Sequence, residues 1–150
     1  MPESPAVRTA KEILRSKPDQ SVYSIAPSSS VFDAIKLMAE KNIGALLVID
    51  SDAIVGIITE RDYARKVVLA GRSSRETPVA AVMHSPVRYV RPGHTSDECM
   101  ALMTEKRLRH LPVIDDGQLL GLVSIGDLVK DIISEQRFLI EQLEHYITGR

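Results

Sequence analysis

The chain reads as a mixed α/β protein, two βαββα repeats packed about a pseudo-twofold axis, with a short helix ahead of them and a long helix behind. The strongest sign is an internal repeat: Pro27 recurs as Pro92, Met38 as Met103, Asp50 as Asp115, Gly56 as Gly121 and Asp62 as Asp127, always 65 positions on, the difference between 62 and 127. The second sign is a pair of apolar runs of strand length, Ala45–Ile49 with Ile54–Ile58 in the first half and their counterparts in the second. The third is a set of helix-start signatures at matching places, Ser30 with Asp33 and Thr95 with Glu98. Two units this small cannot each bury a sheet face alone, so they are expected to pack on one another.

In chain order, residues 1–8 are Pro-rich and polar and are expected to form a flexible tail. Thr9 and Glu12 make a capping box for a short helix through Ile13 and Leu14, stopped by Pro18. Val22–Ala26 alternates as a strand that Pro27 ends. Ser30 then caps a helix with Val31, Ala34, Ile35, Leu37 and Met38 on its apolar face. Two strands follow, joined by the turn residues Asp50, Ser51 and Asp52. Gly56 is read as a glycine turn leading into a strand end, and Thr59 opens a helix to about Ala70. Repeat 1 therefore runs over 9–70, a polar linker over 71–78, repeat 2 over 79–134, and a C-terminal extension over 135–150. The last helix, from Asp127 to Ile147, carries Leu128, Ile132, Leu139, Leu143 and Tyr146 on one stripe, broken near Gln136. That stripe packs on its own body or on a second copy of the chain.

Composition narrows the class. The chain has 150 residues, 44% hydrophobic and 26% charged, with a formal net charge of -1. That balance describes ordinary globular material with no overall basic field for nucleic acid or an anionic membrane. Only Arg61, Arg65, Lys66, Arg72 and Arg75 form a basic group, diluted by Asp62 and Glu76. No apolar run approaches the roughly eighteen residues of a membrane span. The N-terminus, with Glu3, Arg8 and Lys11, lacks an apolar signal core, so a cytoplasmic protein is expected. The single Cys99 reads as buried helix filler, and four scattered His offer no metal site by spacing. No nucleophile elbow, phosphate-loop motif or paired His and Glu at metal spacing points to an enzyme.

The chemistry concentrates in Thr59-x-x-Asp62 and Ser124-x-x-Asp127. Each sets a hydroxyl and a carboxylate beside helix-terminal amides, a fit for a ribose bearing a phosphate. The same spacing also describes a plain helix cap with an acidic partner, and one copy alone would decide nothing. The copies differ nearby: Arg109 and His110 stand where repeat 1 has Gly44 and Ala45, while Arg61 stands where repeat 2 has Gly126. Arg61 and Arg109 offer forked donors for phosphate, and His110 a further one. The two clefts are therefore expected to be unequal.

Lys41-Asn-Ile-Gly-Ala-Leu-Leu-Val-Ile-Asp50 followed by Gly56-x-x-Thr59-x-x-Asp62, with Lys106-Arg-Leu-Arg-His-Leu-Pro-Val-Ile-Asp115 followed by Gly121-x-x-Ser124-x-x-Asp127, resembles a tandem pair of CBS (cystathionine β-synthase) domains of a stand-alone bacterial type. The resemblance implies an adenosyl ligand in the cleft between repeats: AMP, ADP or ATP foremost, with NAD or S-adenosylmethionine as options, and no metal. It implies that Asp62 and Asp127 accept from ribose hydroxyls and that Thr59 and Ser124 reach ribose or phosphate. Base contacts fall near Ile25 and Val90, with Ala45 and Pro112 in the walls; Leu47 replaces the proline in repeat 1. The implied role is a non-catalytic sensor, a homodimer acting on a separate, unknown effector protein. The alternative is a dimerisation scaffold with empty clefts.

Overall fold

The computed structural model describes residues 8–18 and 21–148, so the expected tail lies outside the described residues apart from Arg8. The chain forms two compact units, Val22–Val87 and the combination of Met1–Ser21 with Arg88–Arg150. Residues 10–16, the start of the expected repeat 1 over 9–70, thus belong with the unit built on the second repeat.

In the unit Val22–Val87, strands β1 (Ser24–Ile25), β2 (Ala45–Asp50) and β3 (Ala53–Thr59) form one sheet in that order. β1 runs parallel to β2 and β2 antiparallel to β3. Ser51 and Asp52 close the hairpin with φ of 49° and 68°, the double left-handed geometry that suits a two-residue turn. Helix α2 (Val31–Lys41) is capped by Ser30, whose side chain accepts from the Asp33 amide. Its first amides are met by the loop that the sequence marks as linker: Val31 donates to the Thr77 carbonyl at 2.8 Å and Phe32 to that of Ser74 at 2.9 Å. Val31, Ala34, Met38, Leu46, Val48 and Ile58 are the centre of this core.

After Thr59 comes one α-turn, α3 (Glu60–Asp62), and then π-helical backbone over Tyr63–Val68. The helix expected to about Ala70 is there but wider than an α-helix. Leu69 donates to the Ala64 carbonyl and Arg72 to that of Val67, five residues back in each case.

The other unit repeats the plan with α4 (Ser96–Lys106), β4 (His110–Asp115), β5 (Gln118–Ser124) and α5 (Ile125–Thr148). Its hairpin turns on Asp116 and Gly117, at φ 48° and 75°. The expected first strand shrinks here to one bridge between Val90 and Val113. Pro112 accounts for the loss. In the first unit Leu47 donates its amide to the Tyr23 carbonyl, and proline at the matching position has no N–H to give. Helix α1 (Ala10–Ser16), opened by the Thr9 and Glu12 capping box, fills this core with Ala10, Ile13 and Leu14 beside Met103, Leu111 and Leu128.

The reading of Gly56 and Gly121 as turns is corrected by the structure. Both lie inside strands, next to a bulge that leaves Val55 and Leu120 outside the pairing register, and neither has a positive φ. They are glycine because another segment comes too close for a side chain. A Cβ on Gly56 would stand 2.5 Å from Met83 Sδ and 3.0 Å from the His84 carbonyl, and one on Gly121 would stand 2.8 Å from Leu14 Cδ2. Leu14 and Met83 are equivalent plugs. Thr9 bridges Thr95 as Pro78 bridges Ser30, so the segment leading into each repeat completes the unit built on the other.

Helix α5 is 24 residues, about 36 Å long. Its first turns pack inward through Leu128, while Leu139, Ile140, Leu143, Tyr146 and Ile147 are exposed, Tyr146 at 88% and Ile147 at 80%.

Candidate functional site

Each motif begins where a strand feeds directly into a helix, and the backbone there is held the same way twice. The Glu60 amide donates to the Gly44 carbonyl at 3.1 Å, and the Ile125 amide to that of Arg109 at 2.8 Å. Thr59 Oγ1 and Ser124 Oγ each accept the aspartate amide at 3.2 Å. In return Asp62 Oδ2 accepts the Thr59 amide at 2.9 Å and Asp127 Oδ2 that of Ser124 at 2.8 Å. Both motifs are thus reciprocal caps. Of the amides that open each helix, the one at Arg61 or Gly126 is left without a partner among the described residues.

Beyond the cap the two differ. Thr59 Oγ1 also donates to Asp62 Oδ2 at 3.0 Å. Asp62 Oδ1 faces His84 Nε2 at 2.8 Å and Lys66 Nζ at 3.5 Å, and the residue is 3% exposed. Both oxygens and the threonine hydroxyl are engaged. Among the described residues Asp127 is paired only by Lys17, whose Nζ lies 3.1 Å from Oδ2 and also donates to the Leu122 carbonyl at 2.8 Å. Its side chain keeps 15% of its exposure. Among the described residues, Asp127 Oδ1 accepts nothing and the Ser124 hydroxyl donates to nothing. The second motif therefore retains an acceptor, a hydroxyl donor and the Gly126 amide.

His110 pairs with Ser124 across the hairpin, so it stands beside this motif. Its Nδ1 is buried without a hydrogen-bond partner among the described residues. Burial pushes the imidazole below its ordinary pKa, Lys17 pushes the same way, Asp127 opposes, and Arg109 adds to the lowering. The shift favours the neutral ring, which offers one donor, as the sequence suggested, and one acceptor.

The remaining sequence candidates fall in three classes. Arg61 and Arg109 are exposed at the helix start and strand entrance. Ile25 is half-buried beside β2. Ala45, Val90 and Pro112 are buried. Sequence reading missed Lys17 and His84, which arrive from the leader segments. A faint signal exists: apolar residues at 10, 13 and 14 return at 79, 82 and 83, an i, i+3, i+4 pattern outside the main repeat. Cys99 is buried in α4, and burial pushes its thiol up to about 11, far from a nucleophile's range.

The arrangement invites comparison with known proteins, and the model of the CBS domain family matches residues 10–69 and 79–134. The chain belongs to the CBS domain family. Pairs of CBS domains are regulatory modules that commonly bind adenosyl ligands, and no catalytic family is indicated. The chain is 40% identical over 149 residues to the mitochondrial CBS domain-containing protein CBSX3 of Arabidopsis thaliana, covering 94% of this chain and 72% of that one. Among solved structures it is similar to a putative signal-transduction protein with CBS domains from Burkholderia ambifaria, at 61% identity and a TM-score of 0.82, covering 85% of this chain and 96% of that one. It also resembles a hexameric CBS-CP12 protein from bloom-forming cyanobacteria, at 34% identity and a TM-score of 0.75, over 83% and 68% of the two chains. Among the described residues no helix is long and apolar enough to cross a membrane.

Proposed function

We propose that this CBS pair is a non-catalytic sensor of an adenosyl ligand, held at the Ser124–Asp127 helix start. AMP, ADP or ATP is the leading choice, with NAD and S-adenosylmethionine as further candidates. Ribose hydroxyls donate to Asp127 Oδ1, and the phosphate lies toward Arg109, the Ser124 hydroxyl and the Gly126 amide. One observation carries this reading: Asp127 has an unengaged oxygen and partial exposure, whereas Asp62 is enclosed with both oxygens bonded. The unequal occupancy expected from sequence follows, with the second motif as the binding one. Binding of the ligand shifts the protein between states that differ in affinity for it, and a separate effector protein reads the shift. The sensor works as a cytoplasmic homodimer joined through the exposed stripe of α5, and it requires no metal, nucleic acid or membrane.

The test is mass spectrometry of small molecules released on denaturing protein purified without added nucleotide, followed by calorimetric titration. Asp127→Ala should remove roughly 1.5 to 3 kcal/mol of affinity, the worth of a charge-assisted bond. A second reading, a dimerisation scaffold that takes no ligand, draws on the exposed apolar residues of α5 alone. Absence of heat and of thermal shift with AMP, ATP, NAD and S-adenosylmethionine would favour it.

A further inference from the structure

We infer that Lys17 is a built-in counter-cation for the ribose-accepting carboxylate, and that it makes the site select adenosyl ligands carrying a phosphate over uncharged or cationic ones. The inference rests on the functional reading above and names the ligand class of that same site.

The position of Lys17 is fixed by the fold. It is the C-cap of α1, and its amide donates to the Leu14 carbonyl at 3.2 Å. Leu14 is the plug in the Gly121 notch. At the other end of α1, Arg8 Nε pairs with Asp131 at 3.2 Å, one turn beyond Asp127 on α5. The ammonium is thus delivered to Asp127 by a helix anchored at both ends. Two of its three protons are committed, to Asp127 Oδ2 and the Leu122 carbonyl, and a quarter of its side chain, 24%, remains accessible. One ammonium donor is left without a partner among the described residues.

The charge balance sets the preference. Among the described residues, Lys17 pairs with Asp127 and Arg8 with Asp131, while Arg109, near His110, pairs with no carboxylate. Among the described residues the site therefore carries one more cation than carboxylates. A ligand that brings only a ribose diol takes up Asp127 Oδ1 and leaves the surplus charge uncompensated, since Lys17 stays on Oδ2. A ligand that also brings a phosphate gives the remaining ammonium donor and the Arg109 guanidinium an anion to bind. A sulfonium ligand adds a third cation. The first motif has no such site: Lys66 and His84 sit on Asp62, but its carboxylate is enclosed.

Calorimetric titration of the full chain with adenosine, AMP and S-adenosylmethionine tests this, using wild type, Lys17→Met and Lys17→Arg. Methionine keeps much of the apolar stem without the charge. Wild type should prefer AMP to adenosine by about tenfold or more, the effect of one charge-assisted contact. Lys17→Met should remove most of that preference while binding adenosine no more weakly than wild type, and Lys17→Arg should restore it. Equal weakening of AMP and adenosine in Lys17→Met, or an unchanged preference, would overturn the selector and leave the sensor standing. Wild-type protein that binds none of the three would bring down both. Urea midpoints of the variants verify that each is folded.

Discussion

Two aspartates at one motif position should answer to different assays. Replacing Asp62 by Ala removes the acceptor for the Thr59 amide and hydroxyl, 2.9 and 3.0 Å away, and strands His84 and Lys66. Removing one partner of a fully buried ion pair typically costs 3–5 kcal/mol, but the His84 and Lys66 side chains are 51% and 41% exposed and can regain water. Two lost charge-assisted bonds in a 3% exposed position then set the loss at about 2–3 kcal/mol, a fall of about 5–10 °C in Tm for a chain of this size. Asp127→Ala removes one backbone bond and one ion pair to a lysine that water already reaches, so its stability loss should be about 1 kcal/mol. Binding should follow the opposite order. Asp127→Ala loses affinity about tenfold or more, while Asp62→Ala, once folded, titrates like wild type. Urea unfolding and calorimetry of the two variants decide the matter. If Asp127→Ala is the less stable variant and keeps its affinity while Asp62→Ala loses it, the assignment of structural and ligand roles is reversed and the site is wrong.

The notch glycines give a second ordered pair: Gly56→Ala should cost about 1–3 kcal/mol in urea unfolding, and Gly121→Ala less. The first forces a Cβ against the His84 backbone, the second only against the tip of Leu14, and Leu14→Ala should relieve it. His110 sets a pH dependence. Its folded pKa lies below the ordinary value of about 6.5, so the folded state binds fewer protons than the unfolded one in that window. Its contribution is complete above pH 6.5 and is lost as pH falls through the window, and His110→Asn should flatten the urea midpoint measured between pH 7.5 and 5.5. Leu143→Glu, at a position 61% exposed, should turn a dimer into a monomer in sedimentation while changing far-UV circular dichroism little; a wild-type monomer would remove α5 from the proposed assembly.

What sequence could disclose here was whatever depends on near neighbours. The caps at Thr9, Ser30, Thr59 and Thr95 and the hairpin turn at Ser51 and Asp52 answer to residues within three positions, and those were readable. Pro112 was readable as a difference, and its consequence, a first strand reduced to the Val90 bridge, follows from one missing N–H. The roles of Gly56 and Gly121 were hidden because the atoms that exclude a side chain belong to Met83 and Leu14. The same long-range exchange decides the site. Two nearly identical motifs receive different visitors from the leader segments, His84 in one and Lys17 in the other, and the visitor, with Lys66, determines whether the carboxylate is closed or left open. A motif match alone therefore cannot say which repeat binds. In the proposed site, the residue that each repeat borrows from outside itself decides which carboxylate is left for a ligand.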